Sequence, residues 1–375
     1  MPAESPAPDS QVDADPALGR GSTIGSWLAD QRGTPLMDVL ARAMGADRSV
    51  LTPAQALPLE ALVAMSGGRV TDALVDHLVS AASTGSVPEL REVRGLMGEP
   101  AVAEFDGTAH LDADGLVRVY APASPSGAGL VWMHGGGFEY GSLDMPEADA
   151  VARALADRGV AVFSVDYRLV GDGCRYPAPS DDVLRAWGWT RTNAARFDVD
   201  ATRLFVGGAS AGGNLAAGAV LRLIDRGAAL PAGVVLAYPT LMAEQPPPSS
   251  ELRRALDANP EADVFGPDAV SRMYAAFVGD GASMPMPASP ADAPDDVLRA
   301  FPSTLIVLGD TDELRISGEV FAERLGEAGV QVRTELSRSS FHGFLNDPDG
   351  PWFAPAIELI ADVVTATGGE ADVRA

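Results

Sequence analysis

From Leu130 onward the chain switches every few residues between two kinds of apolar pattern, and this alternation limits it to one kind of architecture. Short apolar runs near 130–133, 160–165, 204–206, 233–237, 304–308 and 330–335 read as strands. Helical periodicity runs near 144–157, 180–193, 211–226, 315–328 and 354–366. Strands apolar on both faces and separated by helices predict an α/β fold with a mostly parallel sheet covered on both sides. Two alternating runs come earlier, at 101–110 and 115–120, with Asp112-Ala113-Asp114-Gly115 as a hairpin turn between them. Their Val, Phe and Tyr content suits edge strands. One connection, from Tyr238 to Pro302, is too long for a simple crossover. It holds a Pro-rich loop at 246–250 and helical periodicity at Leu252 to Leu256 and Val270 to Phe277. Residues 242–286 therefore read as an excursion placed over the carboxyl edge of the strands, where open α/β sheets bind ligands.

The first hundred residues differ in kind. Residues 1–24 are rich in Pro, Ala and Asp and read as a disordered tail. Residues 25–99 read as helical. Leu36, Val39, Leu40 and Ala43 share one face, a helix runs from Pro53 through Leu62, and Thr71 caps another whose buried side is Leu74, Leu78 and Val79. This segment reads as a helical cap, with a homodimer contact as the alternative. The expected plan is a tail (1–24), an N-terminal cap region (25–99), a core in two parts (100–241 and 287–369) and a cap insertion (242–286).

Composition narrows the partners. A formal charge of −25, from 52 acidic against 27 basic residues, repels nucleic acid phosphates and anionic lipid heads. The start has no basic region followed by an apolar stretch, and no later segment is apolar for long enough to span a bilayer. A soluble cytoplasmic protein without membrane insertion is expected. Cys174 is the single cysteine, so no internal disulfide forms.

The chemistry gathers at strand ends. Gly208-Ala209-Ser210-Ala211-Gly212 lies between a strand and a helix, the setting of a nucleophile elbow. The flanking glycines leave room for a tight turn, and the helix start points free N–H groups at developing negative charge. His134-Gly135-Gly136-Gly137-Phe138 follows another strand. Such a glycine run turns its amides toward a substrate, so the N–H groups of Gly136, Gly137 and Ala211 are the oxyanion candidates. His134 reads as a residue that pins this loop. Among the histidines, His77 falls on a helical surface pattern and His110 in the early hairpin. His342, after the last strand, is the base candidate. The orienting acid is Asp312, with Asp310 and Glu313 as close rivals by position alone. The order Ser, Asp, His fits this fold type. There is no HExxH motif and no paired cysteine, so no zinc site is expected.

Together these motifs resemble the hormone-sensitive lipase-like carboxylesterases of the α/β-hydrolase superfamily, over about 115–366. That family carries an HGGG loop, here His134 to Gly137, well upstream of a GDSAGG elbow, here Gly208 to Gly213. Its DYRL segment is Asp166 to Leu169, its FPA…D is Tyr176-Pro177-Ala178…Asp182, and its HGF is His342-Gly343-Phe344. Its DPLRDEG-like acid segment aligns with Asp312 to Gly318, which favours Asp312 over Asp310. The resemblance implies a serine carboxylester hydrolase with a helical cap, acting on short- to medium-chain acyl esters through Ser210, His342 and Asp312 without a cofactor. A hydrolase of amides, lactones or thioesters in specialised metabolism is the second reading. A non-catalytic ligand-binding protein is the third, although the retained His342 argues against it. Three departures stand out: Ala209 where the family usually has an acid, a loop at Val170 to Arg175 unlike the usual APE-type sequence, and a longer N-terminal region.

Overall fold

The computed structural model describes residues 18–44, 48, 51, 55, 57–65, 70–97, 108–171, 173–259, 262, 264–279 and 281–366. They fall into two compact units, divided near Ala101. Residues 1–17 of the expected tail lie outside the described residues. Among the described residues no helix is long and apolar enough to cross a membrane.

The first unit contains α1 (Ile24–Ala29), α2 (Gly33–Ala43), α3 (Ala61–Met65), α4 (Asp72–Thr84) and α5 (Leu90–Leu96). Its own core joins Ile24, Trp27, Leu36, Leu40, Leu74 and Leu78. Thr71 caps α4 by accepting a hydrogen bond from the Leu74 N–H at 3.1 Å. Val39 and Val79 are half-buried while Met37, Ala41 and Val75 are buried, so the buried faces of α2 and α4 are turned relative to the sequence pattern. At the end of the expected tail, Arg20 pairs with Glu60, Asp72 and Asp76. The helix expected from Pro53 through Leu62 does not form over residues 57–60. Pro58 lacks an N–H and bridges instead to Thr23, and α3 starts only at Ala61. Residues 52–54, its expected start, lie outside the described residues.

The second unit is a single sheet of eight described strands in the order β1-β2-β4-β3-β5-β6-β7-β8. The strands are β1 (Thr108–Asp112), β2 (Val117–Ala121), β3 (Gly129–Met133), β4 (Ala161–Val165), β5 (Leu204–Ala209), β6 (Val234–Ala237), β7 (Thr304–Thr311) and β8 (Val332–Phe341). β1 and β2 form the expected hairpin and pair antiparallel at one edge; from β4 to β8 every pairing is parallel. The helices are α6 (Asp149–Ala156), α7 (Ala178–Asn193), α8 (Ala211–Asp225), α9 (Ser250–Ala258), α10 (Pro267–Val278), α11 (Asp295–Leu298), α12 (Arg315–Glu327) and α13 (Phe353–Thr365).

Strand side chains alternate between two faces, and each face buries a separate core. Val131 and Met133 join Val206, Leu236 and Ile306 beneath α7, α8 and α12. Leu130 and Trp132 join Val235, Leu305 and Val307 beneath α6 and α13. The fold class expected from the alternation is therefore present: an α/β-hydrolase sheet with helices on both faces and a helical cap insertion. That insertion leaves the sheet after β6 and carries α9 and α10 before the chain returns at β7. One boundary shifts. The helix expected near 144 begins at Asp149, because residues 144–148 form a turn around Pro146 and present Glu147 inward.

Candidate active site

Ser210 stands between β5 and α8 with φ 52° and ψ −119°, a conformation unfavourable for a residue with a side chain. Its neighbours explain why the turn is so tight. A Cβ on Gly208 would sit 2.5 Å from the Gly212 carbonyl and 2.7 Å from the Met133 carbonyl oxygen. A Cβ on Gly212 would collide with the carbonyl oxygens of Met133 and His134. Only glycine fits either position, and the hydroxyl is left at the tip.

Two other strand ends meet it. His342, just beyond β8, places Nε2 2.9 Å from Ser210 Oγ and Nδ1 2.8 Å from Asp312 Oδ2. Asp312, just beyond β7, is 1% exposed, and its other oxygen accepts the Leu314 N–H at 2.9 Å. A carboxylate only accepts, so His342 Nδ1 carries the proton and Nε2 is free to accept the Ser210 hydroxyl. Neither rival acid touches the imidazole among the described contacts. Asp310 accepts from the Thr311 hydroxyl, and Glu313 accepts the Phe265 N–H at 2.6 Å.

The glycine loop follows β3. Gly136 has φ 111° and Gly137 φ 60°, both in the region that favours glycine. The N–H groups of Gly136, Gly137 and Ala211 meet no acceptor among the described residues. Ala211 opens α8, so the dipole of that helix adds to its amide. His134 is buried in the loop and stacks on Tyr167 with centroids 4.5 Å apart. The His134 Nδ1 bonds to the Gly135 carbonyl at 2.7 Å, and the Tyr167 hydroxyl donates to the His134 carbonyl oxygen at 2.9 Å. Burial lowers the His134 pKa to about 4, which keeps the ring neutral near pH 7.

Several residues near the site were not among the sequence candidates. Glu147, 2% exposed, accepts the Gly135 N–H at 2.5 Å, the Tyr238 hydroxyl at 2.8 Å and the Asn346 amide at 3.0 Å. Burial pushes its carboxyl above the usual carboxylate range, outweighing the downward pull of these donors and of the nearby His342. From the insertion, Phe265 sets its ring edge-on to His342 at 4.6 Å, and Tyr238 does so from the end of β6 at 5.0 Å. Met273 lies over the glycine loop, its sulfur 3.6 Å from where a Gly137 Cβ would stand. Phe265 and Met273 pack with Val270, Tyr274 and Leu314 as an apolar wall. The wall is fastened by Phe277 stacked on Phe138 at 3.9 Å and by the Asn214 amide donating to the Tyr274 hydroxyl at 3.1 Å.

A family model described as the alpha/beta hydrolase fold matches residues 130–346. The chain is 33% identical over 269 residues to the carboxylesterase NlhH of Mycobacterium tuberculosis, covering 69% of this chain and 77% of the relative. It is 32% identical over 244 residues to an ethyl acetate hydrolase of Pseudomonas putida, covering 61% of this chain and 71% of that one. A solved hormone-sensitive lipase from a metagenome library superposes with a TM-score of 0.60 at 28% identity, over 70% of this chain and 84% of the other. With the model spanning more than half of the sequence and the fold matching, the chain belongs to the α/β-hydrolase superfamily, among its hormone-sensitive lipase-like carboxylesterases.

Proposed function

We propose that the protein is a serine carboxylester hydrolase acting on short- to medium-chain acyl esters. The observation that carries this reading is the hydrogen-bonded line from Ser210 Oγ through the His342 imidazole to Asp312, at 2.9 and 2.8 Å. Ser210 Oγ attacks the ester carbonyl carbon while its proton passes to His342 Nε2. Asp312 holds the imidazole tautomer and stabilises the imidazolium. The carbonyl oxygen, now negative, rests on the amides of Gly136, Gly137 and Ala211. Donors of this kind each contribute roughly 10²–10³-fold in kcat. The C–O bond then breaks, and the alcohol leaves with the proton from Nε2. A water molecule, deprotonated by the same imidazole, hydrolyses the acyl-enzyme and restores Ser210.

The short acyl range is supported by the apolar wall of Phe265 and Met273 close above the loop. The relative named ethyl acetate hydrolase supports it as well. The test is hydrolysis of p-nitrophenyl esters of increasing chain length by the wild type and by Ser210→Ala. Wild-type turnover highest on the shorter chains is expected, with a loss of at least ~10³-fold in kcat for the folded variant. Retained turnover in purified Ser210→Ala would remove Ser210 from the reaction.

A further inference from the structure

We propose, resting on the esterase reading above, that Glu147 is a positioning residue: an anionic carboxylate that ties the oxyanion loop to the segment carrying His342. Its three partners come from three parts of the chain. Gly135 immediately precedes the two loop amides proposed to bind the oxyanion. Tyr238, whose hydroxyl donates to Glu147 Oε2, packs its ring against His342. Asn346 follows His342 closely, and its side-chain amide donates both to Glu147 Oε2 and, at 3.3 Å, to the Gly343 carbonyl. The backbone of Glu147 is fixed too. Its carbonyl accepts the Trp132 indole N–H at 2.8 Å, and its N–H donates to the Asn346 side-chain oxygen at 3.4 Å.

The donors around Glu147 favour the ionised form against the upward push of burial. The Gly135 N–H and the Asn346 amide nitrogen only donate, and an ionised carboxylate, which only accepts, matches the set. Leaving such a charge buried without these donors would be strongly destabilising. A glycine is required for the approach. A Cβ on Gly135 would lie 2.6 Å from Glu147 Oε1, 3.0 Å from Ser210 Cβ and 3.2 Å from the Ala209 carbonyl oxygen. Gly135 therefore fills the space between the Glu147 carboxylate and the elbow residues Ala209 and Ser210. Ala209 offers only a methyl group here, buried with Trp132 and Tyr238. In the altered segment 170–175, Arg175 donates to the carbonyls of Ala275 and Ala276.

Glu147→Gln keeps the volume but sets an NH2 group among donors, and Glu147→Asp keeps the charge. Both are measured in the full chain on p-nitrophenyl butyrate, with thermal unfolding as the check on folding. The expected result is a kcat lower by about 10–100-fold for Gln with KM within about twofold, and a smaller loss for Asp. A folded Gln variant with kcat within about twofold of wild type overturns the proposal, as does Asp falling below Gln. If the Gln variant does not fold, Tyr238→Phe decides. It removes one donor, and a kcat lowered at unchanged KM is expected, while an unchanged kcat overturns the role. Fluorophosphonate labelling of the wild type separates the two layers. An unlabelled, inactive wild type overturns the esterase reading and this proposal with it, whereas an active wild type with an indifferent Gln variant overturns this proposal alone.

Discussion

Two regions meet at His342 and are held by opposite means. The turns after β5, β7 and β8 are fixed by backbone: Ser210 at φ 52°, Gly208 and Gly212 without space for a Cβ, Asp312 anchored by the Leu314 N–H. The insertion between β6 and β7 is fixed mainly by side chains, through Phe277 on Phe138, Tyr274 on Asn214 and the Glu313 carboxylate on the Phe265 N–H. A backbone-fixed turn tolerates almost no change of residue, so its groups keep their places to a fraction of an ångström. A wall of packed side chains can be rebuilt residue by residue. The first region suits chemistry common to every substrate, and the second suits selection among substrates.

The contrast breaks if changes in the two regions have the same kind of effect. Asp312→Asn has the largest expected consequence. With the acceptor of the Nδ1 proton weakened, the imidazole loses its tautomer, and kcat/KM falls on the order of 10³–10⁴-fold on every ester tested. Asp310→Asn, altering a carboxylate bonded only to the Thr311 hydroxyl among the described contacts, stays within about threefold. A larger loss at Asp310 would reverse the assignment. Ala209→Asp comes next. It adds a carboxylate to a fully buried position beside the Glu147 network, so it lowers the melting temperature and reduces kcat by about tenfold, equally across substrates. A changed ranking of esters at little thermal cost would instead place position 209 among the specificity residues. Met273→Ala has the smallest effect on rate and the clearest on preference. Removing the side chain over Gly137 shifts the ratio of longer to shorter acyl esters by about 3–10-fold, with kcat on the acetate little changed. A uniform loss over the whole ester series would mean that this wall carries the chemistry as well.

The same contrast explains what was legible in the residues alone. The elbow, the glycine loop and the histidine turn are short contiguous patterns, because a local backbone constraint selects neighbouring residues together. Asp312 was harder. Residues alone left Asp310 and Glu313 open, since nothing local fixes which acid is the first to clear the strand; β7 runs on to Thr311, and Asp312 follows it. Glu147 belonged to no pattern because its partners Tyr238 and Asn346 lie 91 and 199 residues away. Phe265 and Met273 were hidden for a related reason. The spacing from Val270 to Phe277 announces the helix that carries Met273, and Phe265 precedes that helix; neither tells which ring ends against an imidazole. The expected helix from Pro53 failed where periodicity was weighed without the cost of Pro58.

The most direct measurement is to treat the native protein with a fluorophosphonate and locate the adduct by peptide mass spectrometry. Attack on phosphorus by a serine activated through His342 and Asp312 predicts one stoichiometric adduct, on Ser210, formed in step with loss of esterase activity. The adduct should be absent from Ser210→Ala and strongly slowed in Asp312→Asn. An adduct on another residue that tracks the loss of activity, or full activity with Ser210 unmodified under excess reagent, would contradict the assignment.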